Sequence, residues 1–69
     1  MKNIDARGLS CPQPVLLCQS AIKAGEKEFV VFVDDVAPLE NVTRFAQNHG
    51  YKVSVKHVED YDELHCVSE

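Results

Sequence analysis

The chain has 69 residues and a formal charge of −4, with seven Lys and Arg set against eleven Asp and Glu. This length supplies one small folded unit with one helix–sheet interface and no deep cleft, so a reactive site is a surface feature that a partner completes. The negative balance argues against nucleic acid as the main ligand, because phosphate binding needs a positive surface. It suits a partner with a basic docking face, although ordinary solubility charge accounts for it equally well.

In chain order, Asn3 to Ala6 reads as a short edge strand, followed by the loop Arg7-Gly8-Leu9-Ser10-Cys11-Pro12. Val15 to Ala24 reads as a helix. Val15, Cys18 and Ile22 fall on one helical stripe, which Leu17, Ala21 and Ala24 widen, and Gly25 stops it. Phe29-Val30-Val31-Phe32-Val33, within Glu28 to Val33, is a run of β-branched and aromatic residues typical of a central strand. Phe29, Val31 and Val33 point to one face of it, Val30 and Phe32 to the other. Asp34-Asp35-Val36-Ala37-Pro38 is the next loop, with Pro38 suited to a first helical turn. Leu39, Val42, Ala46 and His49 then repeat at helical spacing until Gly50. Lys52 to Lys56 alternates strictly, which directs Val53 and Val55 toward a core. Glu59 to Asp62 is a polar turn, and Leu64 and Cys66 alternate inward on a last strand.

The order is therefore β-α-β-α-β-β. Right-handed crossovers place both helices on one face of the sheet, and the last two strands form an antiparallel hairpin. The fold expected is α/β, a two-layer α/β sandwich with a mixed four-stranded sheet over residues 1–69. Its other sheet face is uncovered.

The chemistry concentrates in Cys11-Pro12-Gln13-Pro14. Two prolines in four residues are tolerated at a helix start, where N–H groups have no intrahelical acceptor. The helix therefore begins at Pro12 or at Pro14, and because Pro14 disfavours helical angles at Gln13 the later of these is favoured. Of residues 12 to 14, only Gln13 keeps a backbone N–H. Cys11 falls within a turn of the helix N-terminus, whose partial positive charge stabilises a thiolate or a persulfide anion. Arg7 is near in sequence and able to add positive charge. The competing reading of Cys11 is a small residue packed at a loop–helix junction.

Cys18 lies about two helical turns beyond Cys11, on the order of 10 Å, too far for a disulfide in an intact helix. It shares the apolar stripe, and Cys66 alternates with Leu64, so both read as core. Three irregularly spaced cysteines make a poor disulfide framework, and no Cys-x-x-Cys or His-x-x-x-His pair suggests a metal site. His49, His57 and His65 are not placed by sequence beside Cys11. Asp34 and Asp35 read as turn residues able to cap the second helix. No apolar run approaches the ~20 residues of a membrane span, and Met1 to Asp5 lacks the apolar core of a signal peptide. The expectation is a cytoplasmic protein.

Asp5-Ala6-Arg7-Gly8-Leu9-Ser10-Cys11-Pro12-Gln13-Pro14 resembles the N-terminal signature of the TusA/SirA-like sulfur-carrier family: an acidic residue, Gly, Leu, then Cys-Pro-x-Pro. Val33-Asp34-Asp35, Asn41 to Ala46 and Gly50 to Val53 look like the YedF branch, which is tied to sulfur and selenium metabolism. Many members have Pro directly after the Asp pair, where this chain has Val36. The resemblance covers essentially the whole chain. It implies that Cys11 accepts sulfur from a donor such as a cysteine desulfurase, holds it as a persulfide and relays it to an acceptor protein without metal or organic cofactor. It also implies that Pro12 and Pro14, with Gln13 between them, shape the helix start, and that Asp5 and Gly8 support the motif loop. The alternatives are a non-enzymatic regulatory or interaction module and a thiol redox switch. Oligomeric state is left open.

Overall fold

The computed structural model describes residues 2–10 and 12–69. Four strands and two helices follow one another as β1 (Lys2–Asp5), α1 (Gln13–Lys23), β2 (Glu28–Val33), α2 (Val36–Asn48), β3 (Tyr51–His57) and β4 (Asp62–Ser68). The sheet order is β1-β2-β4-β3. β1 and β2 pair in parallel, and β4 pairs antiparallel with both β2 and β3. This is the expected two-layer arrangement. The β1–α1–β2 crossover joins neighbours, whereas β2–α2–β3 passes over the position that β4 then fills.

Helix boundaries follow local chemistry. α1 ends in a Schellman arrangement: Glu26 N–H donates to the Ala21 carbonyl (3.1 Å) and Gly25 N–H to that of Ile22 (3.0 Å), with Gly25 at φ +82°. Gly50 (φ +83°) ends α2 in the same left-handed region. At the other end of α2, the Asp35 side chain accepts from Val36 N–H at 2.7 Å.

The core lies between sheet and helices. Phe29, Val31 and Val33 of β2 and Leu64 and Cys66 of β4 are fully enclosed against Cys18 and Ala21 of α1 and Val42 and Ala46 of α2. Burying a side chain the size of Phe29 or Leu64 contributes roughly 2–3 kcal/mol. Tyr51 packs its ring on Phe29 (centroids 5.4 Å) and donates its hydroxyl hydrogen to the Glu26 carbonyl, so its polar tip is satisfied.

Three expectations need correction. Val55 lies on the helix-facing side, in register with Leu64, yet it is 43% exposed. It sits on the edge strand, beside a groove shared with Leu39, Thr43 and Gln47 of α2, and only Val53 packs against the core. Ala24 is the exposed C-cap of α1 and not part of its buried stripe, whereas His49 closes α2 as its C-cap, as its position before Gly50 implies. On the sheet face without helices, Val30 is nevertheless buried, flanked in register by Asn3 and His65. An inner position in a sheet is screened by neighbouring side chains even without a covering layer.

Candidate functional site

β1, β2 and β3 run in the same direction. Their C-terminal ends, the N-termini of both helices and the β3–β4 turn therefore gather at one end of the molecule, where crevices form in open α/β sheets. Pro12, Gln13 and Pro14 belong to this end. α1 begins at Gln13, two residues before the start at Val15 read from the sequence, with Pro12 as N-cap and Pro14 buried in the first turn. Gln13 N–H donates to the Ser10 carbonyl (2.9 Å) and Leu16 N–H to that of Pro12 (3.0 Å). The first of these bonds offsets the steric bias that a following proline imposes on Gln13. Cys11, the thiol proposed from sequence, lies outside the described residues, as does Met1; in sequence it stands two positions before the first helical residue.

The residues leading into the motif are fastened at several points. Ala6 N–H extends the β1–β2 ladder to the Phe32 carbonyl (2.9 Å). Gly8, at φ +75°, directs its N–H between both carboxylate oxygens of Asp34, each at 3.1 Å. Arg7 makes a forked pair with Asp5, Nε to Oδ1 at 2.9 Å and Nη2 to Oδ2 at 3.0 Å, and its backbone N–H also reaches Oδ1 (3.1 Å). The guanidinium lies 4.7 Å from the Tyr61 ring centroid and 6.0 Å from that of Phe32, within cation–π range. The side-chain bonds from Arg7, followed by its backbone bond, hold the Asp5 carboxyl down to about 2, and Asp5 in turn raises Arg7. Asp5 thus has Arg7 as its partner, and the positive charge of Arg7 is engaged there.

The two helix starts differ electrically. α2 is closed by Asp35, whereas α1 has no side-chain cap and no acidic residue in its first turn. Its partial positive charge is not neutralised by a carboxylate of its own. Around the α2 start, Asp34, Asp35, Glu59, Asp60 and Asp62 line a shallow cleft of about 330 Å³. Two apolar side chains stand out of the first helical turns, Leu16 at 51% and Val36 at 63% exposure.

Cys18 and Cys66 are fully buried, and burial pushes their thiols up to about 11 and about 12, with Cys18 adding a smaller repulsion to Cys66. Buried protonated thiols are poor nucleophiles. Each histidine has a local partner: His49 Nδ1 with the Phe45 carbonyl (2.9 Å), His57 with Asp62, and His65 with Glu63. Among the described residues, no three His, Cys, Asp or Glu side chains converge as a metal site, and no helix is long and apolar enough to cross a membrane.

In the sequence Asp34 reads as a turn residue and Tyr61 as part of a polar turn, and neither shows its contact with the residues that lead into the motif. The available signal was topological. Two parallel neighbours, β1 and β2, end side by side, so an acid directly after β2 lies beside the loop that follows β1.

The family described as Sulfurtransferase TusA matches residues 2–66. A protein of Methanocaldococcus jannaschii that carries the provisional name of a sulfur carrier protein is 46% identical over 55 residues, covering 77% of this chain and 73% of that protein. The crystal structure of a SirA-like protein from Desulfitobacterium hafniense superposes with a TM-score of 0.85 at 30% identity, covering 100% of both chains. With the fold and nearly the whole sequence matched, the chain belongs to the TusA sulfurtransferase family.

Proposed function

We propose that this chain is a sulfur carrier that holds sulfur as a persulfide on Cys11. The thiolate attacks the terminal sulfur of a donor persulfide. The new S–S bond to Cys11 forms as the donor's S–S bond breaks, and the donor cysteine leaves as its thiolate. An acceptor protein then takes the outer sulfur by the same exchange. Each transfer conserves electrons, so no redox cofactor is consumed.

The observation that carries this reading is the family match across residues 2–66, with a cysteine two positions before an α1 N-terminus that has no acidic residue in its first turn. Cys18 and Cys66 are fully enclosed, which leaves Cys11 as the cysteine suited to exchange between proteins. The same burial disfavours a redox switch, which needs a second accessible thiol. The donor in this reading is a cysteine desulfurase-type protein. The acidic rim of Asp35, Glu59 and Asp60 suits a donor or acceptor with a basic docking face. Residues 1–69 act as one carrier unit in the cytoplasm, and the Asp34-Asp35 and Asn41–Ala46 stretches favour the YedF branch and a place in sulfur or selenium metabolism.

Incubation with a cysteine desulfurase and cysteine tests the reading. The peptide containing Cys11 is expected to gain about 32 Da, reversed by a reducing thiol. No gain, or a gain that persists in Cys11→Ser, overturns it. If the chain acts only as a binding module, Cys11→Ser leaves its cellular function intact.

A further inference from the structure

We infer that Asp34 is a positioning residue for sulfur loading, acting through the Gly8 N–H to fix the loop that leads to Cys11. The inference rests on the carrier reading above and adds to it a residue on a different strand.

Asp34 follows β2 directly and lies 26 positions from Gly8, yet both of its carboxylate oxygens stand 3.1 Å from the Gly8 nitrogen. One N–H shared by two oxygens of the same side chain is a bifurcated hydrogen bond, which either oxygen alone can accept. Gly8 occupies the left-handed region at φ +75°, where the chain reverses after β1, and its N–H is directed out of the β1–β2 ladder toward Asp34. The ladder itself ends one step earlier, at Ala6 N–H on the Phe32 carbonyl. Beyond Ala6, the backbone–backbone hydrogen bonds of this stretch among the described residues are local: Leu9 N–H to the Ala6 carbonyl at 3.4 Å and Gln13 N–H to the Ser10 carbonyl at 2.9 Å. The Asp34 contact therefore ties this stretch to the end of the central strand.

Arg7 secures the preceding residue against Asp5 and Tyr61, and the two fastenings act on adjacent residues. A reacting thiol must be presented within a narrow range of positions, and a small displacement of its supporting loop lowers the rate. Asp34 is exposed, so its value to the molecule lies in holding this loop and not in core packing.

The test compares Asp34→Ala with Asp34→Asn, which keeps an acceptor oxygen and loses the charge. Three readouts are taken on the full chain: the rate of sulfur loading from a desulfurase, the rate of Cys11 alkylation by iodoacetamide across pH, and hydrogen exchange of the Gly8 amide. Asp34→Ala is expected to load about fivefold more slowly or worse, the scale of one lost hydrogen bond. Its Gly8 amide exchanges faster, while its thermal midpoint stays that of a folded protein. Asp34→Asn returns loading and Gly8 protection close to wild type. Should alanine impair folding, Asp34→Ser, whose side chain is too short to reach Gly8, repeats the comparison.

Wild-type loading in Asp34→Ala overturns the inference. So does an Asp34→Asn rate as low as that of alanine, because charge and not the hydrogen bond then matters. If the wild-type chain itself takes no sulfur, the carrier reading falls. Alkylation and Gly8 exchange then still decide whether Asp34 positions the loop.

Discussion

Reagents that attack thiolates should distinguish the cysteines of the native chain sharply, and the size of the difference follows from burial. A thiol at its ordinary value of 9.0 is about one-tenth ionised near pH 8. Cys18, pushed up to about 11, is ionised in roughly one molecule in a thousand, and Cys66, at about 12, in roughly one in ten thousand. Ionisation alone slows these two by about a hundredfold or more relative to an open thiol. Both are also closed to solvent, so a reagent reaches them only through an opening of the sheet–helix core. The assay is intact-mass analysis during iodoacetamide treatment near pH 8, with and without guanidinium chloride. The native chain is expected to take one label, on Cys11, and the denatured chain three. A second label acquired by Cys18 or Cys66 at a comparable rate, with the circular dichroism spectrum still native, refutes the argument from burial.

Raised thiol values also set an alkaline limit. Between about pH 9 and 12 the unfolded chain releases protons that folded Cys18 and Cys66 retain, so stability falls as pH rises, by on the order of 7 kcal/mol once both are ionised. Cys18→Ala/Cys66→Ala should flatten that loss in pH-dependent denaturation curves, and an unchanged curve contradicts the linkage. The Asp5 carboxyl, held at about 2 by Arg7, should titrate there by NMR against an ordinary 3.8. A depressed value makes its contribution complete above the ordinary range and lost as pH falls through about 2, and Arg7→Ala should return the midpoint toward 3.8. Leu64→Ala opens a cavity at a fully enclosed position and should cost about 3 kcal/mol in denaturant unfolding; a loss below about 1 kcal/mol indicates that the core collapses around it.

The fold was legible because its signals are local and mutually consistent. Glu28 to Val33 is a five-residue apolar run behind one Glu, Gly25 and Gly50 mark the two helix ends, and the Lys52 to Lys56 alternation requires a strand. Boundaries were less legible where two weak effects compete. The bias against helical Gln13 before Pro14 pointed to a later start, but the bond to Ser10 lies outside any periodicity argument. Val55 shows a different limit, since alternation assigns a face of the sheet but not its distance from the edge. At the site, the motif itself was readable from adjacent residues. Its support was not, because Gly8–Asp34 and Arg7–Tyr61 join positions that meet only once β1, β2 and the β3–β4 turn are assembled.

The central claim is that position 11 carries the sulfur. The direct measurement is transfer of radiolabelled sulfur from cysteine, through a desulfurase, to the Cys18→Ala/Cys66→Ala chain, whose one remaining thiol is Cys11. The account predicts label at wild-type stoichiometry, released by a reducing thiol, and none on Cys11→Ser. Label on Cys11→Ser, or an unlabelled double variant that remains folded, contradicts it.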